Sequence, residues 1–224
     1  MSVSVIIPTL NEASCLAETL AALRRLRPHE IIVVDGGSED ATCEIAASAD
    51  KIIQTSPGRA QQMNLGAAHA TGHILLFLHA DCHLEEGALR AAERCLQSSA
   101  VIAGCFTMKV NESSWIYRWI DACATARVRL TGLIYGDQGL FLRRDSFQSL
   151  GGFPNLRFME DVFFCRALRR QGRMVVSPKR IYVSARRWQR FGVIRQTLRN
   201  WLLTGLAAAG IHPNRLARYY SEAR

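Results

Sequence analysis

The chain has 224 residues, of which 49% are hydrophobic and 21% are charged. This length predicts one folded domain with a short appendage, and this composition excludes a disordered or fibrous protein. The formal net charge of +9 is unevenly placed, because residues 166–224 hold fourteen Lys/Arg and the single acid Glu222, whereas residues 1–165 hold fourteen Lys/Arg and eighteen acids. The basic C-terminal part predicts an anionic partner, such as a diphosphate, a membrane surface or a nucleic acid.

The first half of the sequence alternates short apolar segments with amphipathic ones. Apolar runs at residues 3–7, 30–34, 51–54 and 73–78 predict strands, and helical spacing of apolar positions predicts helices at residues 13–26, 40–48 and 60–70. Pro8 is expected to end the first strand, and Ser38 to cap the second helix. Strands that alternate with helices predict right-handed βαβ units. The predicted fold is therefore α/β, with an open, mostly parallel sheet that carries helices on both faces.

The second half predicts a less regular order of elements. Helices are predicted at residues 85–97, 113–130 and 158–171, and strands at residues 100–109, 138–142, 173–176 and 181–183. Two terminal helices are predicted at residues 191–206 and 213–222. These patterns predict a main domain at residues 1–190, with the basic and apolar helices of residues 191–224 packed on it.

The cysteines and the apolar stretches bear on the cellular compartment. Seven scattered cysteines without a CxxC pair predict reduced thiols in a cytoplasmic protein. The first segment, MSVSVIIPTLNE, has no basic stretch and is not expected to be a secretory leader. The uncharged apolar stretch at residues 200–214 is too short to cross a bilayer, but residues 201–211 could lie in a membrane interface. We expect a cytoplasmic protein that attaches peripherally to the anionic inner face of a membrane.

Polar residues follow three of the predicted strands at the point where each strand ends. In an open parallel sheet these ends lie along one edge, where ligands bind. Carboxylates, amides and hydroxyls at such an edge suit sugar hydroxyls, the edge of a nucleobase and a hard cation such as Mg²⁺ or Mn²⁺. The residues concerned are Pro8, Asn11 and Glu12 after the first strand, Asp35, Ser38 and Asp40 after the second, and His79, Asp81 and His83 after the fourth.

Five segments, taken in order, carry a family resemblance. VSVIIPTLNE, IIVVDGGSEDAT and GRAQQMNLGAAHATGHILLFLHAD resemble the nucleotide-binding half of family 2 of the inverting glycosyltransferases. GDQGLFLRRDSFQSLGGFP and FMEDVFFCRALRRQG are similar to the acceptor half of that family. The resemblance implies the glycosyltransferase A fold, with residues 1–190 as the catalytic domain. The short form with SARRWQRFG near its end resembles a stand-alone bacterial subgroup that is associated with unusual-sugar pathways.

The resemblance also implies an activity. A sugar would pass, with inversion, from a nucleoside-diphosphate sugar to a hydroxyl acceptor that is a small molecule or is linked to a lipid. A bound Mg²⁺ or Mn²⁺ would neutralise the leaving nucleoside diphosphate, and a carboxylate would take the proton of the acceptor hydroxyl. The matching positions assign Asp161, next to Glu160, as the base, Asp81 as the metal-binding acid of the DxD motif, and Pro8, Glu12, Asp35, Arg59, Asn64 and His79 to the nucleotide-sugar site.

Two positions depart from the family pattern. The DxD motif reads HAD at residues 79–81, so that a histidine stands where an acid usually faces the ribose or assists the metal. The usual ARN triplet reads QMN at residues 62–64, and Arg59, one helical turn earlier, is the candidate substitute for the missing arginine. These departures bear on metal affinity and on the choice of donor.

Alternative interpretations exist for the whole chain and for two segments. A sugar-1-phosphate nucleotidylyltransferase has a comparable sheet but needs a glycine-rich basic loop after the first strand, where PTLNE stands. A peripheral membrane protein that binds a nucleotide sugar would use the basic C-terminal part, and nucleic acid is not expected as a partner because no RNA-binding aromatic strand motif is present. Arg186, Arg187 and Trp188 either bind a diphosphate and a sugar face or form a solvated basic loop. Trp115, Tyr117 and Trp119 are expected to pack in the protein rather than to bind sugar.

Overall fold

An eight-stranded sheet forms the centre of the structure, a computed structural model in which residues 1–209 and 211–217 are described. The strands are β1 Val3–Thr9, β2 Glu30–Asp35, β3 Lys51–Gln54, β4 Ile74–Phe77, β5 Cys82–Leu84, β6 Val101–Val110, β7 Leu140–Arg143 and β8 Arg173–Val183. They lie side by side in the order β3-β2-β1-β4-β7-β6-β8-β5. The pairs β3-β2, β2-β1, β1-β4 and β6-β8 are parallel, and the other three are antiparallel.

Helices cover both faces of this sheet. The helices are α1 Ala13–Leu26, α2 Thr42–Ala46, α3 Arg59–His69, α4 Ala88–Cys95, α5 Trp115–Thr131, α6 Arg144–Ser149, α7 Glu160–Arg169, α8 Arg186–Phe191, α9 Val193–Ala208 and α10 Pro213–Leu216. Leu16 of α1 packs in one apolar cluster with Val5 and Ile7, and Met63 of α3 packs in a second cluster with Ile6. Successive strand residues point to opposite faces. The predicted α/β fold, with a mostly parallel sheet and helices on both faces, is confirmed.

Parallel pairing places the carboxyl ends of β1, β2 and β4 at one edge of the sheet. Thr9 at the end of β1 lies beside Asp35 at the end of β2, and Ile6 lies beside Phe77 at the end of β4. β7 runs antiparallel to β4, with Leu140 at its start beside Phe77. The turn before β7 therefore lies at the same edge as the loops that follow β1, β2 and β4.

A third apolar cluster attaches the C-terminal helices. Leu203 of α9 and Leu216 of α10 pack with Met159, which directly precedes α7. The predicted domain boundary at position 190 stays a prediction, and α8 runs across this position. The last part of the predicted terminal helix, residues 218–222, lies outside the described residues.

Two predictions for the loops after β1 and β2 were wrong. β1 does not end at Pro8 but continues to Thr9. Only Val3 to Ile6 of β1 pair with β4, so Pro8, which has no N–H, breaks no hydrogen bond to β4. Ser38 does not cap a helix, since α2 begins later and the Ser38 hydroxyl and N–H bond to Asp35 instead. Local turn chemistry therefore takes precedence over helix capping in this loop.

The division of the second half into elements also differs from the prediction. The two strands expected at residues 173–176 and 181–183 form the single strand β8, because its pairing with β6 continues through a register shift. The helix expected at residues 191–206 is α9, which begins at Val193, and the short helix α8 before it was not predicted. Gly192, with a φ of 81° outside the helical region, separates the two helices. β5 and α6, with three and six residues, are too short to show a periodic pattern in the sequence.

Candidate active site

A cleft opens at the edge of the sheet where β1, β2 and β4 end. It is lined by the loop after β4, the turn before β7, the first turns of α3 and α7, and parts of α8 and α9. Four residues that were assigned to the site from the sequence meet there, namely Arg59, His79, Asp81 and Asp161. The other polar residues of the lining are Tyr135, Asp137, Ser184, Arg187, Gln196, Asn200 and Thr204.

Asp161 lies in the first turn of α7, with its carboxylate at the wall of the cleft. Its Oδ2 accepts a hydrogen bond from the N–H of Gly136 at 2.6 Å, and its Oδ1 accepts one from the N–H of Val162 at 2.7 Å. Burial, together with the negative charge of Glu160, raises the pKa of Asp161 to about 6, although Arg59 and the two hydrogen bonds act to lower it. A carboxylate with this pKa can accept a proton near neutral pH.

Glu160, the neighbour of Asp161, is turned into the protein. It is 2% exposed, and its Oε1 lies 3.2 Å from Nε of Arg59, at the start of α3. Met159, directly before the two acids, adopts a φ of 63° and a ψ of 23°, a left-handed conformation that is uncommon for a residue with a side chain. Such strain persists only where the surroundings fix the backbone, and Met159 is buried in the third apolar cluster. The chain therefore enters α7 at a fixed angle that presents Asp161 to the cleft.

His79 and Asp161 approach each other across Gly136. A Cβ atom added at Gly136 would lie 2.7 Å from Nε2 of His79 and 3.5 Å from Oδ2 of Asp161. The first distance is shorter than van der Waals contact, so that a larger residue at this position would displace the imidazole. The histidine that stands in place of the first acid of the DxD motif therefore lies close to the candidate base.

Asp81 is paired with Arg186 of α8. One guanidinium nitrogen of Arg186, Nη2, lies 3.2 Å from Oδ2 of Asp81 and 3.3 Å from Oε2 of Glu12. The hydroxyl of Thr19 on α1 donates to the carbonyl oxygen of Ala80 at 2.6 Å, which fixes the turn that carries Asp81. The guanidinium of Arg186 thus joins the loops after β1 and β4 by pairing with both Glu12 and Asp81.

Side chains alone offer a divalent cation few ligands at this point. Within residues 1–209 and 211–217, no three His, Cys, Asp or Glu side chains are grouped as a metal site. One oxygen of Asp81 is held by Arg186, and the other accepts a weak contact from the thiol of Cys82 at 3.7 Å. Mg²⁺ in phosphate-transfer sites commonly binds one or two carboxylates and completes its coordination with phosphate oxygens and water. The residues present therefore fit a cation that binds together with a diphosphate.

Asp35 ends β2 but does not line the cleft. It is fully buried, and its Oδ2 accepts hydrogen bonds from the N–H groups of Gly37 and Ser38 at 2.9 and 2.8 Å. Its Oδ1 accepts hydrogen bonds from the hydroxyls of Ser38 and Thr9. Burial raises the pKa of Asp35, but these hydrogen bonds outweigh burial and hold it below its usual value. Asp35 thus shapes the turn after β2. Pro8, near the end of the neighbouring strand β1, is half-buried and also does not line the cleft.

Asn64 holds backbone rather than facing the cleft. Its amide nitrogen donates to the carbonyl oxygen of Phe153, and its oxygen accepts from the N–H of the same residue, both at 2.9 Å. Gln62 donates to two carbonyl oxygens at the ends of β1 and β2, at 2.7 and 2.9 Å, and Met63 is buried in the core. The QMN triplet therefore has three structural roles. It closes two strand ends, fills the core and anchors the loop before α7.

Asp137 is a residue of the cleft that the sequence analysis did not assign. It lies in the short 3₁₀ turn Gly136–Gln138 before β7, and its Oδ1 is buried without a hydrogen-bond partner among the described residues. Burial raises the pKa of Asp137, and the nearby Arg127 and Arg187 oppose that rise. An unsatisfied buried carboxylate oxygen costs free energy that a ligand hydroxyl would recover. The signal in the sequence is the polar pair between the two glycines of GDQG.

Helix α9 contributes a polar wall to the cleft. Gln196, Asn200 and Thr204 recur at intervals of four residues and so share one face of the helix. The hydroxyl of Thr204 lies 3.0 Å from that of Tyr135, whose ring lies 3.4 Å from the guanidinium carbon of Arg127. The sequence pattern shows that this face is polar but not which part of the protein it meets.

Helix α8 carries the three residues considered for a diphosphate and a sugar face. Arg187 and Trp188 line the cleft, and Arg186 bridges the two carboxylates described above. The ring of Trp188 packs edge-on against Tyr117, with centroids 6.2 Å apart, while its Nε1 is buried without a partner in the described part of the chain. The segment is therefore a helical wall of the cleft, and the alternative of a solvated loop was wrong.

Curated proteins with similar sequences are glycosyltransferases by name. A PGL/p-HBAD biosynthesis glycosyltransferase of Mycobacterium bovis is 33% identical over 169 residues, which cover 69% of this chain and 64% of that protein. An undecaprenyl-phosphate 4-deoxy-4-formamido-L-arabinose transferase of Pseudomonas aeruginosa is 31% identical over 157 residues, which cover 63% of this chain and 46% of that protein. The chain thus spans less than two thirds of the length of these relatives.

Solved structures share the arrangement of strands and helices. Residues 1–349 of TarS from S. aureus superpose with a TM-score of 0.68 at 21% identity, covering 83% of this chain and 61% of that one. The mannosyltransferase PcManGT from Pyrobaculum calidifontis, solved with GDP-Man and Mn²⁺, gives a TM-score of 0.67 at 21% identity, covering 99% of this chain and 68% of that one. These likenesses confirm the glycosyltransferase A fold. A family model described as Glycosyl transferase family 2 matches residues 4–172, which include β1 to β7 from Ser4 onwards, the Asp81 turn and the Glu160–Asp161 pair, so the chain belongs to glycosyl transferase family 2.

Proposed function

We propose that this chain is an inverting, metal-assisted glycosyltransferase that moves a sugar from a nucleoside-diphosphate sugar to a hydroxyl acceptor. Membership of the family and the names of the relatives support sugar transfer. Similar structures solved with UDP-GlcNAc or GDP-Man support a nucleotide-sugar donor. The observation that carries the proposal is Asp161, a carboxylate at the wall of the cleft whose pKa is raised to about 6. The loop PTLNE after β1 lacks the glycines that a nucleotidylyltransferase would need, which favours transfer over that alternative.

Asp161 acts as the general base in this proposal. It takes the proton of the acceptor hydroxyl while that oxygen forms its bond to the anomeric carbon. The bond from that carbon to the diphosphate breaks on the opposite side, so that a single displacement inverts the configuration. The N–H groups of Gly136 and Val162 hold the carboxylate in place. Glu160 positions Arg59 and the start of α7 rather than taking the proton.

The donor diphosphate is proposed to lie between the Asp81 turn and α8. Arg186 and Arg187 supply guanidinium groups that suit phosphate oxygens. A Mg²⁺ or Mn²⁺ ion bound with the diphosphate would neutralise the leaving group as a Lewis acid, with Asp81 as its ligand from the protein. Similar structures solved with Mn²⁺ support this use of a cation. His79, between Asp81 and Asp161, is proposed to face the donor sugar.

The remaining residues assigned from the sequence have less direct roles in this proposal. Pro8 and Glu12 border the nucleotide. Asp35 accepts a hydrogen bond from the nucleobase in place of the one that it accepts from the Ser38 hydroxyl. Asn64 acts through the loop that it anchors. The acceptor is a small molecule or is linked to a lipid, and the protein works in the cytoplasm at the inner face of a membrane. The seven free cysteines agree with a reducing compartment.

Replacement of the base tests the mechanism. Asp161→Asn should lower the rate of nucleotide release from a panel of UDP- and GDP-sugars, in the presence of an acceptor panel, by about 10²–10⁴, the usual effect of losing a positioned base. Binding of UDP or GDP, measured by calorimetry, should stay within a factor of about two, because the base touches the acceptor rather than the nucleotide. Asp145→Asn, which removes an exposed carboxylate on α6, is the matched control. A wild-type rate in the Asp161→Asn variant would falsify the proposed mechanism.

A further inference from the structure

Large hydrophobic side chains are exposed on two helices, α5 and α9. Trp115 is 78% exposed, so the expectation that it packs in the protein was wrong. Trp119 is 50% exposed and therefore packs in the protein only in part. A group of exposed apolar side chains on a folded domain marks a surface that meets another molecule. Seven of the ten large hydrophobic residues exposed in the described part of the chain belong to these two helices, namely Trp115, Trp119, Leu130, Ile194, Leu198, Trp201 and Leu202.

The exposed residues of the two helices form one surface. The rings of Trp119 on α5 and Trp201 on α9 are in contact, with centroids 5.9 Å apart. Ile194, Leu198, Trp201 and Leu202 follow the spacing of a single helix face, as do Trp115 and Trp119. We call these six residues the tryptophan face.

Two cations, Arg195 and Arg199, share helix α9 with the tryptophan face. Asp121, the acid within α5, is paired with Arg118 at 2.8 Å. The guanidinium groups of Arg190 on α8 and Arg199 on α9 lie 5.3 and 5.4 Å from the centre of the Phe191 ring, at the junction of the two helices. Residues 186–217 contain no Asp or Glu but six arginines, Arg186, Arg187, Arg190, Arg195, Arg199 and Arg215.

We propose that the tryptophan face docks on the surface of an anionic phospholipid bilayer. The tryptophan ring suits the headgroup level of a membrane, because it combines an apolar body with an N–H donor. Arg190, Arg195 and Arg199, on α8 and α9, suit the phosphates of anionic lipids. A second copy of this chain fits less well, because a two-fold interface would bring the arginine-rich surface against itself. Within residues 1–209 and 211–217, no helix is long and apolar enough to cross a bilayer.

The tryptophan face overlaps in part with the stretch that the sequence analysis expected in a membrane interface. The stretch at residues 201–211 was expected to lie in a membrane interface, but Leu203 and Ala207 within it are buried with Met159 in the third apolar cluster. Trp201 and Leu202 of that stretch are exposed, and the other residues of the tryptophan face lie earlier on α9 and on α5. Contact with the bilayer therefore involves two helices that are distant in the sequence.

The opposite side of α9 lines the cleft with Gln196, Asn200 and Thr204. One helix, about 10–12 Å across, therefore separates the cleft from the tryptophan face. Docking would hold the cleft within this distance of the lipid headgroups. In combination with the proposed transferase function, on which this step rests, the arrangement favours an acceptor hydroxyl carried by a lipid over a freely diffusing acceptor.

Flotation of the full chain with vesicles tests the docking. The protein should float with vesicles of phosphatidylcholine and phosphatidylglycerol, less with phosphatidylcholine alone, and less with anionic vesicles at high salt. The double variant Trp115→Ser, Leu198→Ser should bind anionic vesicles about tenfold more weakly, the effect of losing roughly one buried large side chain. Ile52→Ser, which alters an apolar residue on β3 that is 42% exposed, should bind as the wild type does.

Two further measurements separate docking from folding and from the transferase function. UDP or GDP binding should be unchanged in the double variant, because Trp115 and Leu198 do not line the cleft. Brominated phosphatidylglycerol should quench the tryptophan fluorescence, since Trp115, Trp119 and Trp201 belong to the tryptophan face. Equal flotation of the double variant and the wild type, or equal binding to neutral vesicles, would overturn the proposal. So would a dimer in solution that the double variant abolishes, if vesicles bind neither protein.

Discussion

Adjacent acids at the start of α7 have different surroundings. Glu160 is buried against the guanidinium of Arg59, whereas the oxygens of Asp161 accept hydrogen bonds from two backbone N–H groups and lie at the cleft. A full opposite charge compensates a buried carboxylate better than neutral donors do. Asp161 is therefore the acid whose negative charge is costly in the folded protein, and this cost supports its proposed role as the base.

The cost of the charge on Asp161 predicts a stability effect. Because the pKa of Asp161 rises from 3.8 to about 6 on folding, the stability linked to this group is highest below about pH 4 and falls as the pH rises through about 6. Asp161→Asn removes the charge and should raise the free energy of unfolding near neutral pH by about 1–3 kcal/mol. Urea denaturation measures this gain, which should shrink towards zero at about pH 4. A variant less stable than Asp145→Asn near neutral pH would show that Asp161 stabilises the fold.

At the residue scale, the strand ends pointed to His79 and Asp81 of the cleft, and the family resemblance pointed to Arg59 and Asp161. Arg59, His79, Asp81 and Asp161 meet in the cleft because the topology of an open sheet brings the loops at its carboxyl edge together. The orientation of Asp35 could not be predicted, because it depends on a turn in which Ser38 competes for the carboxylate. A sequence shows which residues reach the edge of the sheet, and the loop conformation decides which of them face the ligand.

At the scale of elements, Glu30 joins several segments at the opposite edge of the sheet. Its Oε1 accepts hydrogen bonds from the hydroxyl of Ser4 on β1 at 2.7 Å and from the N–H of Thr71, before β4, at 2.6 Å. Its Oε2 pairs with Lys51 of β3 at 2.9 Å. Burial raises the pKa of Glu30, but these partners outweigh burial and lower it to about 2. Glu30 therefore links four neighbouring strands at their amino ends.

Glu30→Gln should lower the free energy of unfolding by about 1–3 kcal/mol near neutral pH, because hydrogen bonds to a buried charged acceptor are lost. Since the pKa of Glu30 falls on folding, this contribution is present above about pH 4.5 and is lost as the pH falls through about 2. Urea denaturation compares the variant with Glu39→Gln, which alters an exposed acid at the other edge. If both variants unfold at the same urea concentration, Glu30 does not hold the strands together. Nucleotide binding should be unchanged, because Glu30 lies far from the cleft.

Elements with a clear period were predicted, and those that depend on tertiary contacts were not. The first seven elements, from β1 to β4, follow the sequence pattern, in which apolar runs alternate with segments of helical spacing. β8 keeps one strand through a register shift only because β6 continues beside it. The break between α8 and α9 depends on the conformation of Gly192, which cannot be predicted from a pattern of apolar residues.

For the whole molecule, the uneven charge of the sequence is resolved into two surfaces. Arg186 and Arg187 meet the cleft, where the acids Asp81 and Asp137 lie. Arg195 and Arg199 lie instead on α9, the helix that carries most of the proposed tryptophan face. We propose that the same basic segment meets an anionic donor on one side and an anionic lipid surface on the other. Neither assignment could be made from net charge, because charge alone does not show on which side of a helix a residue lies.

Thermal unfolding of the whole chain tests how donor and cation bind together. A ligand at about a hundred times its dissociation constant stabilises the native state by about 2.7 kcal/mol, or roughly 5–10 °C in Tm for a chain of this size. UDP or GDP should raise the Tm, and Mn²⁺ should add to the rise when nucleotide is present. Mn²⁺ alone should have little effect, because one oxygen of Asp81 is held by Arg186 and the described residues form no group of three metal ligands.

Asp81→Asn should remove the additional rise from Mn²⁺ and keep the rise from nucleotide alone, since the carboxylate is the proposed protein ligand of the cation. Arg186→Gln should increase the additional rise from Mn²⁺, because it frees the Asp81 oxygen and lets the cation bind more tightly. The rise from nucleotide alone should become smaller, because the guanidinium that suits the phosphates is lost. Asp145→Asn serves again as the control. An unchanged Mn²⁺ effect in Asp81→Asn would place the cation elsewhere, and a large Tm rise with Mn²⁺ alone would show that side chains suffice to bind it.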